Sequence, residues 1–474
     1  MTGGFVKMAI HEECGVFGIY HEDRDCARAT YYGLFALQHR GQEACGIATV
    51  NDLELSCHKD SGLVGDVFSE EILDKLDGTM AIGHVRYSTT GGGGRDNAQP
   101  LTLKYVKGSL AVAHNGNLSN TEALKTEYEY KGAIFHTSTD SEIIAYIIAQ
   151  ERLACGSIEQ AVMNAMPHLL GAYSLVVMSS RKLLAARDPW GFRPLCIGTR
   201  GNAYVFASES CALDAVGATF LRDVLPGEVV WVYEGELYSM RMDALPKSSL
   251  CIFEYLYFAR PDSIIDCQSV YGARMLAGKY LAREYPIDAD VVIGVPDSGL
   301  VAAKGYALEA GIPYNDGFIK NRYVGRSFIS PSQQSRERAV KLKLNPLRAT
   351  VANKRVVMID DSIVRGTTAK QIIKLLRDAG AREVHLLSSA PKFISPCYFG
   401  TDIPDKANLI AVHNTTEEIC RMIDADSLGF LSLESLAKIA PDSACAFCDA
   451  CFTENYPFEI DSSVQEEMLQ CVEL

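Results

Sequence analysis

The sequence of 474 residues predicts two domains, an α+β domain followed by an α/β domain. Length is the first observation behind this prediction, because one hydrophobic core rarely serves more than about 250–300 residues. In the first half of the chain, short apolar segments alternate with Gly-rich turns. In the second half, the order strand, turn, helix repeats, which is typical of βαβ units on a largely parallel sheet.

The elements of the first domain are predicted from apolar segments separated by turn residues. The candidate strands include CGVFGIY, GTMAIGHVR, SLAVAHNG, AYSLVVMSS and GEVVWVYEGEL, and ALKTEYEY and DSEIIAYIIAQERL are predicted to be helical. The segment DALPKSSLCIFEYLYFARPDS, residues 243–263, combines turn residues with an apolar run. We therefore place the boundary inside it, with the first domain at residues 14–245 and the second at residues 246–474.

Two strand–turn–helix units follow in the second domain. ADVVIGVPDSG leads into LVAAKGYALEAG, and KRVVMIDDSIVRGTT leads into AKQIIKLLRDAG. The strand-like segment EVHLLSSA comes next. This alternation predicts parallel strands with helices on the faces of the sheet.

Charge and composition exclude several classes of protein. A net charge of −14 argues against non-specific binding to nucleic acid or to anionic membranes. No apolar run approaches the length of a membrane span, and MTGGFVKMAI lacks the apolar core of a secretory signal. The 15 cysteines are odd in number and irregularly spaced, so they do not predict a disulfide framework. We expect a reduced, cytoplasmic enzyme in which some thiols bind a metal or react.

The most specific segment is VVMIDDSIVRGTTA, residues 356–369. Its four apolar residues predict a buried strand, and ligands bind at the carboxyl ends of such strands in open α/β sheets. Asp360 and Asp361 are suited there to bind sugar hydroxyls or a magnesium ion. Residues 362–368 supply backbone N–H groups and hydroxyls at a helix N-terminus, a favourable phosphate site. The spacing of a Walker A loop is absent, and the alternative is a plain acidic turn before a helix.

This segment resembles the signature of type I phosphoribosyltransferases. The resemblance implies that phosphoribosyl pyrophosphate (PRPP) binds to Asp360, Asp361, Ser362, Arg365, Gly366, Thr367 and Thr368. The earlier turn GVPDSG, residues 294–299, resembles the pyrophosphate loop of the same family. The resemblance also implies one Mg²⁺ per subunit, bound near Ser298, Asp360 and Asp361.

A basic segment lies between the two turns. From Phe318 to Arg355 there are ten Lys or Arg residues and one Glu, a local charge of +9. A solvated surface would explain such a run, but a neighbouring site for a polyanionic sugar favours a role in steering and binding. The string KNRYVGRSFISPSQQSR resembles the flexible loop that closes over PRPP in this family. The residues expected to bind PRPP there are Lys320, Arg322, Tyr323 and Arg326.

Cys14, in HEECGVFGIY, is the candidate nucleophile of the first domain. The downstream strings ALQHRGQEACGI, GHVRYSTTGG, AVAHNGNL and HTSTDSE resemble the glutaminase domain of N-terminal-nucleophile amidotransferases in order and spacing. That resemblance implies an αββα sandwich and a cysteine at the mature N-terminus. A free α-amine titrates near pH 7.7–8.0 and can serve as base beside a thiol. Residues 1–13 are therefore expected to be a propeptide, with a buried structural cysteine as the alternative.

The same resemblance implies further roles in glutamine hydrolysis. Asn115 and the backbone N–H of Gly116 would form the oxyanion hole. Arg86 would bind the α-carboxylate of glutamine, and Asp140 its α-ammonium.

Together the two halves resemble the family of glutamine PRPP amidotransferases over nearly the whole chain, specifically the members with a propeptide and an iron–sulfur cluster. The implied activity is a glycosyl transfer, the first committed step of de novo purine biosynthesis, in which ammonia from glutamine crosses internally and displaces pyrophosphate from PRPP. An isomerising sugar aminotransferase and a non-catalytic nucleotide-binding regulator are the competing classes. The family further implies a homotetramer with purine nucleotides as feedback inhibitors.

The string CAFCDACF, residues 445–452, places three cysteines at Cys-x-x-Cys-x-x-Cys spacing. Spacing alone leaves open a structural zinc, an iron–sulfur cluster and unligated thiols. The iron–sulfur members of the family draw ligands from three separate regions. By that resemblance the ligands of one [4Fe–4S] cluster per subunit would be Cys251, Cys397, Cys448 and Cys451. Cys445 would be the spare cysteine, or would exchange with Cys448.

Overall fold

The structure is a computed structural model that describes residues 14–21, 25–87, 95–321, 344–401, 403 and 405–460. The expected propeptide, residues 1–13, lies outside the described residues. So do three of the four predicted loop residues, Arg322, Tyr323 and Arg326. Among the described helices, none has the length and apolar character needed to cross a membrane.

The strands described in the first half of the chain are β1 (Gly15–Tyr20), β2 (Ala44–Asn51), β3 (Glu54–Ser61), β4 (Met80–Arg86), β5 (Leu101–Tyr105), β6 (Gly108–Leu118), β7 (Gly171–Ser179), β8 (Leu183–Arg187), β9 (Cys196–Arg200), β10 (Ala203–Ala207), β11 (Thr219–Asp223), β12 (Glu228–Tyr233) and β13 (Glu236–Arg241). The helices described there are α1 (Cys26–Ala36), α2 (Val64–Val67), α3 (Glu70–Lys75), α4 (Thr121–Tyr130), α5 (Asp140–Ala154), α6 (Ile158–Ala165) and α7 (Ser210–Ala215).

These elements form four layers. Seven antiparallel strands make one sheet in the order β11-β9-β10-β1-β4-β2-β3, and six make a second in the order β13-β12-β8-β7-β6-β5. Apolar side chains from both sheets pack between them. Helices α1 and α7 cover the outer face of the first sheet, and α5 and α6 cover that of the second. The predicted αββα sandwich is confirmed.

The strands described in the second half are β14 (Leu250–Cys251), β15 (Ile264–Ile265), β16 (Gln268–Ser269), β17 (Val291–Gly294), β18 (Phe318–Lys320), β19 (Leu344–Pro346), β20 (Arg355–Asp360), β21 (Glu383–Ser388), β22 (Ser427–Phe430) and β23 (Phe447–Cys448). The helices described there are α8 (Val270–Glu284), α9 (Gly299–Ala310), α10 (Arg348–Val351), α11 (Thr367–Asp378), α12 (Ile410–His413), α13 (Thr416–Ile423), α14 (Leu433–Leu436) and α15 (Ala450–Thr453), with a π-helical turn at Glu254–Phe258.

A four-stranded parallel sheet, in the order β17-β20-β21-β22, is the centre of the second domain. Val357 and Ile359 of β20 face the layer of α8 and α9, whereas Val356 and Met358 face α11 and α13. Because both faces are covered, the strand is apolar from Val356 to Ile359. The predicted α/β domain is confirmed.

Three buried arginines of the first domain bind the second domain. Arg40 donates two hydrogen bonds to Glu254, at 2.9 and 2.8 Å. Arg187 donates two to Asp266, both at 2.8 Å. Arg193 donates one to the backbone carbonyl of Phe399, at 2.5 Å. All three arginine side chains are at most 1% exposed. The hydrogen bonds to these partners must therefore replace the hydration that each buried charge has lost.

An aromatic layer lies beside these ion pairs. Phe192 of the first domain stacks on Phe399 of the second, with ring centroids 4.4 Å apart. Trp190 packs against Phe458 at 4.7 Å. These rings cover the boundary between the domains with apolar surface. The low local dielectric that results strengthens the neighbouring electrostatic contacts.

We expect Asp266→Ala to destabilise the domain interface strongly. The substitution leaves the Arg187 guanidinium buried without its carboxylate, which costs about 3–5 kcal/mol in the free energy of unfolding. Urea unfolding followed by the fluorescence of Trp190, which lies at this boundary, measures the loss. Glu309→Ala is the matched control, because it breaks an Arg283–Glu309 ion pair at the protein surface. Equal shifts for the two variants would contradict the prediction.

Candidate active sites

The first candidate site is assembled by strand alternation. Side chains of Val16, Ile82 and Ala113 point into the layer between the two sheets of the sandwich. Residues two positions apart on a strand share a face, so Cys14 before β1 and Asn115 on β6 continue the same layer. Arg86, four residues after Ile82, does likewise at the end of β4. The cleft at this end of the sandwich is lined by Cys14, Arg86, Tyr87, Gln99, His114, Gly116, Thr139, Asp140 and Ser141.

Cys14 is held through both its side chain and its backbone carbonyl. Its Sγ lies 3.3 Å from the carbonyl oxygen of Tyr87 and 3.4 Å from the backbone nitrogen of the same residue. Arg40 Nε donates a hydrogen bond to the Cys14 carbonyl at 3.0 Å. Only 9% of Cys14 is exposed, on the cleft side. The residue is therefore held at the cleft wall by groups from two other segments.

Asn115 and Gly116 lie next to each other on β6. Asn115 is fully buried, and within the described part of the chain neither its Oδ1 nor its Nδ2 has a hydrogen-bond partner. Gly116 has φ +143°, and a Cβ there would stand 2.0 Å from the carbonyl oxygen of Ala172 on the paired strand. Only glycine allows β6 and β7 to approach so closely at this point.

Asp140 begins helix α5 and faces the cleft. One oxygen accepts the Leu118 N–H at 3.1 Å, and the other lies 3.4 Å from His114 Nδ1. Burial alone would raise the pKa of this carboxyl, but His114 and the N–H donor outweigh it and hold the pKa below its ordinary value. Asp140 is thus an anion on the cleft wall, opposite in charge to Arg86.

Sequence reasoning did not single out Gln99, His114, Ser141 or Arg40. His114 and Ser141 adjoin predicted site residues in the chain, which is the one local signal that points to them. Arg40 lies within the string ALQHRGQEACGI, which carried part of the resemblance, whereas Gln99 lies outside every string that did.

The second candidate site lies at the carboxyl edge of the parallel sheet. Asp360 ends β20, and Asp361 follows it; both are 9% exposed. Asp361 accepts hydrogen bonds from Ser362 Oγ, at 2.5 Å, and from Ser298 Oγ of the neighbouring GVPDSG turn. The two predicted turns therefore meet at one edge, as expected for adjacent parallel strands.

Electrostatics at this edge favour a bound cation. Burial raises the pKa of Asp360, and the adjacent Asp361 raises it further. Burial also raises the pKa of Asp361, although Ser298, Ser362 and the charge of Arg274 act in the opposite direction. Two buried carboxyls side by side repel each other when both are ionised, and a divalent cation or sugar hydroxyls would relieve that repulsion.

The loop after Asp361 leads directly into a helix. Gly366 caps α11 with φ +73°, and a Cβ there would meet Ile410 Cδ1 at 2.7 Å. Thr367 is exposed, while Ser362, Arg365 and Thr368 are half-buried around the same turn. Lys320, at the end of β18, contacts the Asp297 carboxylate of the GVPDSG turn. The described members of the predicted PRPP set are thus brought together.

Four of the predicted cluster cysteines converge from three segments. Cys251 and Cys448 are register partners on the short parallel strands β14 and β23. The Cys451 carbonyl accepts the Ile394 N–H at 2.9 Å, close in sequence to Cys397. Burial raises the pKa of Cys448 and Cys451, and the thiols of Cys251 and Cys397 raise both further. Cys397 and Cys448 pack against one apolar cluster, and Cys251 and Cys397 pack against the cluster that contains Cys451.

Cys445 has different charged neighbours from these four thiols. Burial raises its pKa to about 12, and its charged neighbours are Arg187 and Asp266 at the domain boundary. Within the described ranges, no group of three or more His, Cys, Asp or Glu side chains has the arrangement of a formed metal site. The four converging thiols provide the donor set of a four-thiolate site, but not its closed geometry.

Both domains match known families. A family model described as a glutamine amidotransferase domain matches residues 84–215, and one described as a phosphoribosyl transferase domain matches residues 267–392. The fold and the two sites thus define a glutamine amidotransferase joined to a phosphoribosyltransferase.

Full-length relatives narrow this class. An amidophosphoribosyltransferase of Methanocaldococcus jannaschii is 49% identical over 94% of this chain and 98% of its own length. That of Bacillus subtilis is 50% identical, with 95% of each chain covered. A solved structure of the B. subtilis glutamine PRPP amidotransferase, complexed with ADP and GMP, has a TM-score of 0.88 at 48% identity. It covers 94% of this chain and 98% of that one.

The chain belongs to the amidophosphoribosyltransferase family. The predicted glutamine-dependent first step of de novo purine biosynthesis is confirmed. The sugar aminotransferase and the non-catalytic regulator are thereby excluded.

Proposed function

We propose that the two sites act in series. Glutamine is hydrolysed at the cleft of the first domain to glutamate and ammonia, and the ammonia passes inside the protein to the second domain. There it attacks carbon 1 of PRPP, forms the C–N bond of 5-phosphoribosylamine and releases pyrophosphate. The observation that carries this proposal is that one cleft brings together Cys14, Arg86, Gly116 and Asp140.

Cys14 is the nucleophile in this proposal. Removal of residues 1–13 gives Cys14 a free α-amine, which takes the thiol proton while sulfur attacks the amide carbonyl of glutamine. The same amine then protonates the leaving ammonia, and water hydrolyses the thioester to glutamate. Tyr87 holds the residue at its sulfur, and Arg40 holds it at its backbone carbonyl.

Asn115 and Gly116 stabilise the tetrahedral intermediate. The Asn115 amide is buried without a partner among the described residues, so it keeps its donors for a group that arrives with the substrate. A preorganised donor of this kind is worth about 10²–10³ in rate. Arg86 binds the α-carboxylate of glutamine and Asp140 its α-ammonium, which accords with the depressed pKa of Asp140.

PRPP binds at the edge of the parallel sheet. Asp360 and Asp361 accept hydrogen bonds from the ribose hydroxyls, while the loop from Ser362 to Thr368 and the N-terminus of α11 bind the 5-phosphate. Ser298 and the two carboxylates are hard oxygen donors that suit one Mg²⁺, which would neutralise the leaving pyrophosphate. Lys320, with Arg322, Tyr323 and Arg326 beyond the described residues, would bind the substrate from the loop side.

Cys251, Cys397, Cys448 and Cys451 would hold a [4Fe–4S] cluster. Their proximity and softness fit a four-thiolate site, and neither half-reaction transfers electrons. The role is therefore structural: the ligand set joins the segments around β14, Cys397 and α15 beneath the aromatic layer.

The remaining assignments rest on family membership. Purine nucleotides are the expected regulators, in line with the ADP and GMP in the B. subtilis structure. The proposed domains are residues 14–245 and 246–474, in a cytoplasmic homotetramer.

We expect Cys14→Ala to abolish glutamine-dependent synthesis of phosphoribosylamine. Ammonia-dependent synthesis should persist, because the second site does not need the thiol. Intact mass and N-terminal sequencing of the wild type should place the mature N-terminus at Cys14. Cys57→Ala, which removes a thiol from β3, is the control. An active enzyme that retains residues 1–13 would contradict the proposal.

The double substitution Asp360→Asn and Asp361→Asn should end synthesis with either nitrogen source. It removes both carboxylates from the sugar site, and we expect a loss of at least about 10²-fold in rate. Asp288→Asn is the control, since that exposed carboxylate contacts Arg355 at the opposite end of β20. Steady-state assays with glutamine and with ammonia test the prediction, and normal ammonia-dependent activity of the double variant would refute it.

Anaerobically purified protein should be brown, with about four irons and matching sulfide per chain. Cys451→Ser should lower iron content and the yield of folded protein, because it removes one thiolate from the converging set. Cys445→Ser should retain the iron, since Cys445 lies beside Arg187 instead. Colourless protein with one zinc per chain would contradict the cluster and indicate a zinc site in its place.

A further inference from the structure

Strand β5 stops pairing with β6 at Val112, three residues before Asn115. β5 pairs with β6 only as far as the partners Leu101 and Val112, whereas β7 stays paired with β6 as far as Leu118. Backbone groups of alternate residues face the same edge of a strand. Beyond the end of β5, this edge presents backbone groups of His114, Gly116 and Leu118.

Side chains take the place of the strand along this edge. Gln99 Oε1 accepts the His114 N–H at 2.8 Å. The His114 carbonyl bonds to His84 Nε2 at 3.0 Å. The Leu118 N–H donates to Asp140, as described above. Gly116 lies between these bonded positions and lines the cleft.

We propose that Gln99 and His84 are positioning residues for the oxyanion hole. By fixing both backbone groups of His114, they set the orientation of the peptide that follows, and with it the Asn115 side chain and the Gly116 N–H. This inference rests on the proposed function, in which those two groups bind the oxyanion.

Both polar atoms of the Gln99 side chain, Oε1 and Nε2, make hydrogen bonds. Its Nε2 donates to Ser141 Oγ at 2.8 Å, so the amide cannot rotate without losing a bond. Lys59 Nζ donates to the carbonyls on either side, those of Ala98 at 2.6 Å and Pro100 at 3.3 Å. The side chain is 5% exposed. Gln99 is therefore a rigid acceptor for His114.

His84 connects the two sheets of the sandwich. It lies on β4, two residues before Arg86, and its ring reaches β6 across the inter-sheet layer. A carbonyl oxygen only accepts hydrogen bonds, so Nε2 carries the proton. Burial lowers the pKa of His84 to about 3, which keeps the ring neutral at any working pH. The strand that bears Arg86 and the strand that bears Asn115 are thereby held in one relative position.

Loss of this alignment should affect the transition state more than the bound substrate. The oxyanion forms only as sulfur attacks, so misplaced donors lower kcat and leave the KM for glutamine nearly unchanged. Loss of glutamine binding would instead raise KM. The ratio of the two effects therefore distinguishes positioning from a general structural role.

The experiment measures glutamine hydrolysis by His84→Leu, His84→Gln, Asn115→Ala and the double variant His84→Leu/Asn115→Ala. His84→Leu should lower kcat by up to about 10²-fold, the scale of one misplaced oxyanion donor. His84→Gln should recover most of the rate, because its amide donates from a similar position. The pH profile of His84→Gln should match that of the wild type, since a neutral histidine does not titrate. The double variant should be about as slow as Asn115→Ala alone, since both changes act on the same group.

Ammonia-dependent synthesis reports folding of every variant. If His84→Leu loses that activity too, Gln99→Met carries the same test, with the same fall in kcat expected. Wild-type kcat in His84→Leu or Gln99→Met would overturn the inference. So would a His84→Gln variant as slow as His84→Leu, or an effect confined to KM. An unimpaired Asn115→Ala would overturn the proposed oxyanion hole itself, and is thus distinct from failure of the positioning role.

Discussion

Hydrogen-bonded ion pairs between buried arginines and carboxylates are the contacts on which the two-site arrangement depends. The Arg40 guanidinium bonds to the Cys14 carbonyl and to Glu254 in the π-helical turn. A single planar group therefore fixes the candidate nucleophile relative to the neighbouring domain. Such a charge tolerates burial only with its hydrogen bonds satisfied, so the interface is stable in one arrangement and costly in any other. The adjoining stack of Phe192 and Phe399 excludes water from it.

The fold was predictable because its signals are local. A strand buried on both faces is apolar throughout, and VVMIDDSIVRGTTA contains such a strand, its carboxyl edge and the following loop in one uninterrupted string. Cys14, Asn115 and Asp140 were identified in the same way, each by resemblance of the string around it. The polar strand β3 was not predicted, because apolar and polar residues alternate only in the first half of ELSCHKDS.

The interactions that complete the sites were not predictable, because they join distant parts of the chain. Arg40 and Glu254 are separated by 214 residues, and Arg187 and Asp266 by 79. Although Arg40 lies in a string that resembles the glutaminase domain, nothing in that string points to Glu254 as its partner. Gln99 is a further example, since its importance follows from where β5 ends and not from any motif. Spacing alone likewise left open whether the cysteines bind zinc, hold an iron–sulfur cluster or stay unligated.

The bond between Arg40 and the Cys14 carbonyl has a consequence for maturation. It holds Cys14 from its carboxyl side. The Val16 N–H, two residues further along on β1, donates a hydrogen bond to Ser208 Oγ at 2.9 Å and holds the backbone there. Neither of these two bonds involves the peptide before Cys14. Under the proposed maturation, precursor and product share one scaffold, and the zymogen is activated by converting a single amide nitrogen into an amine without refolding.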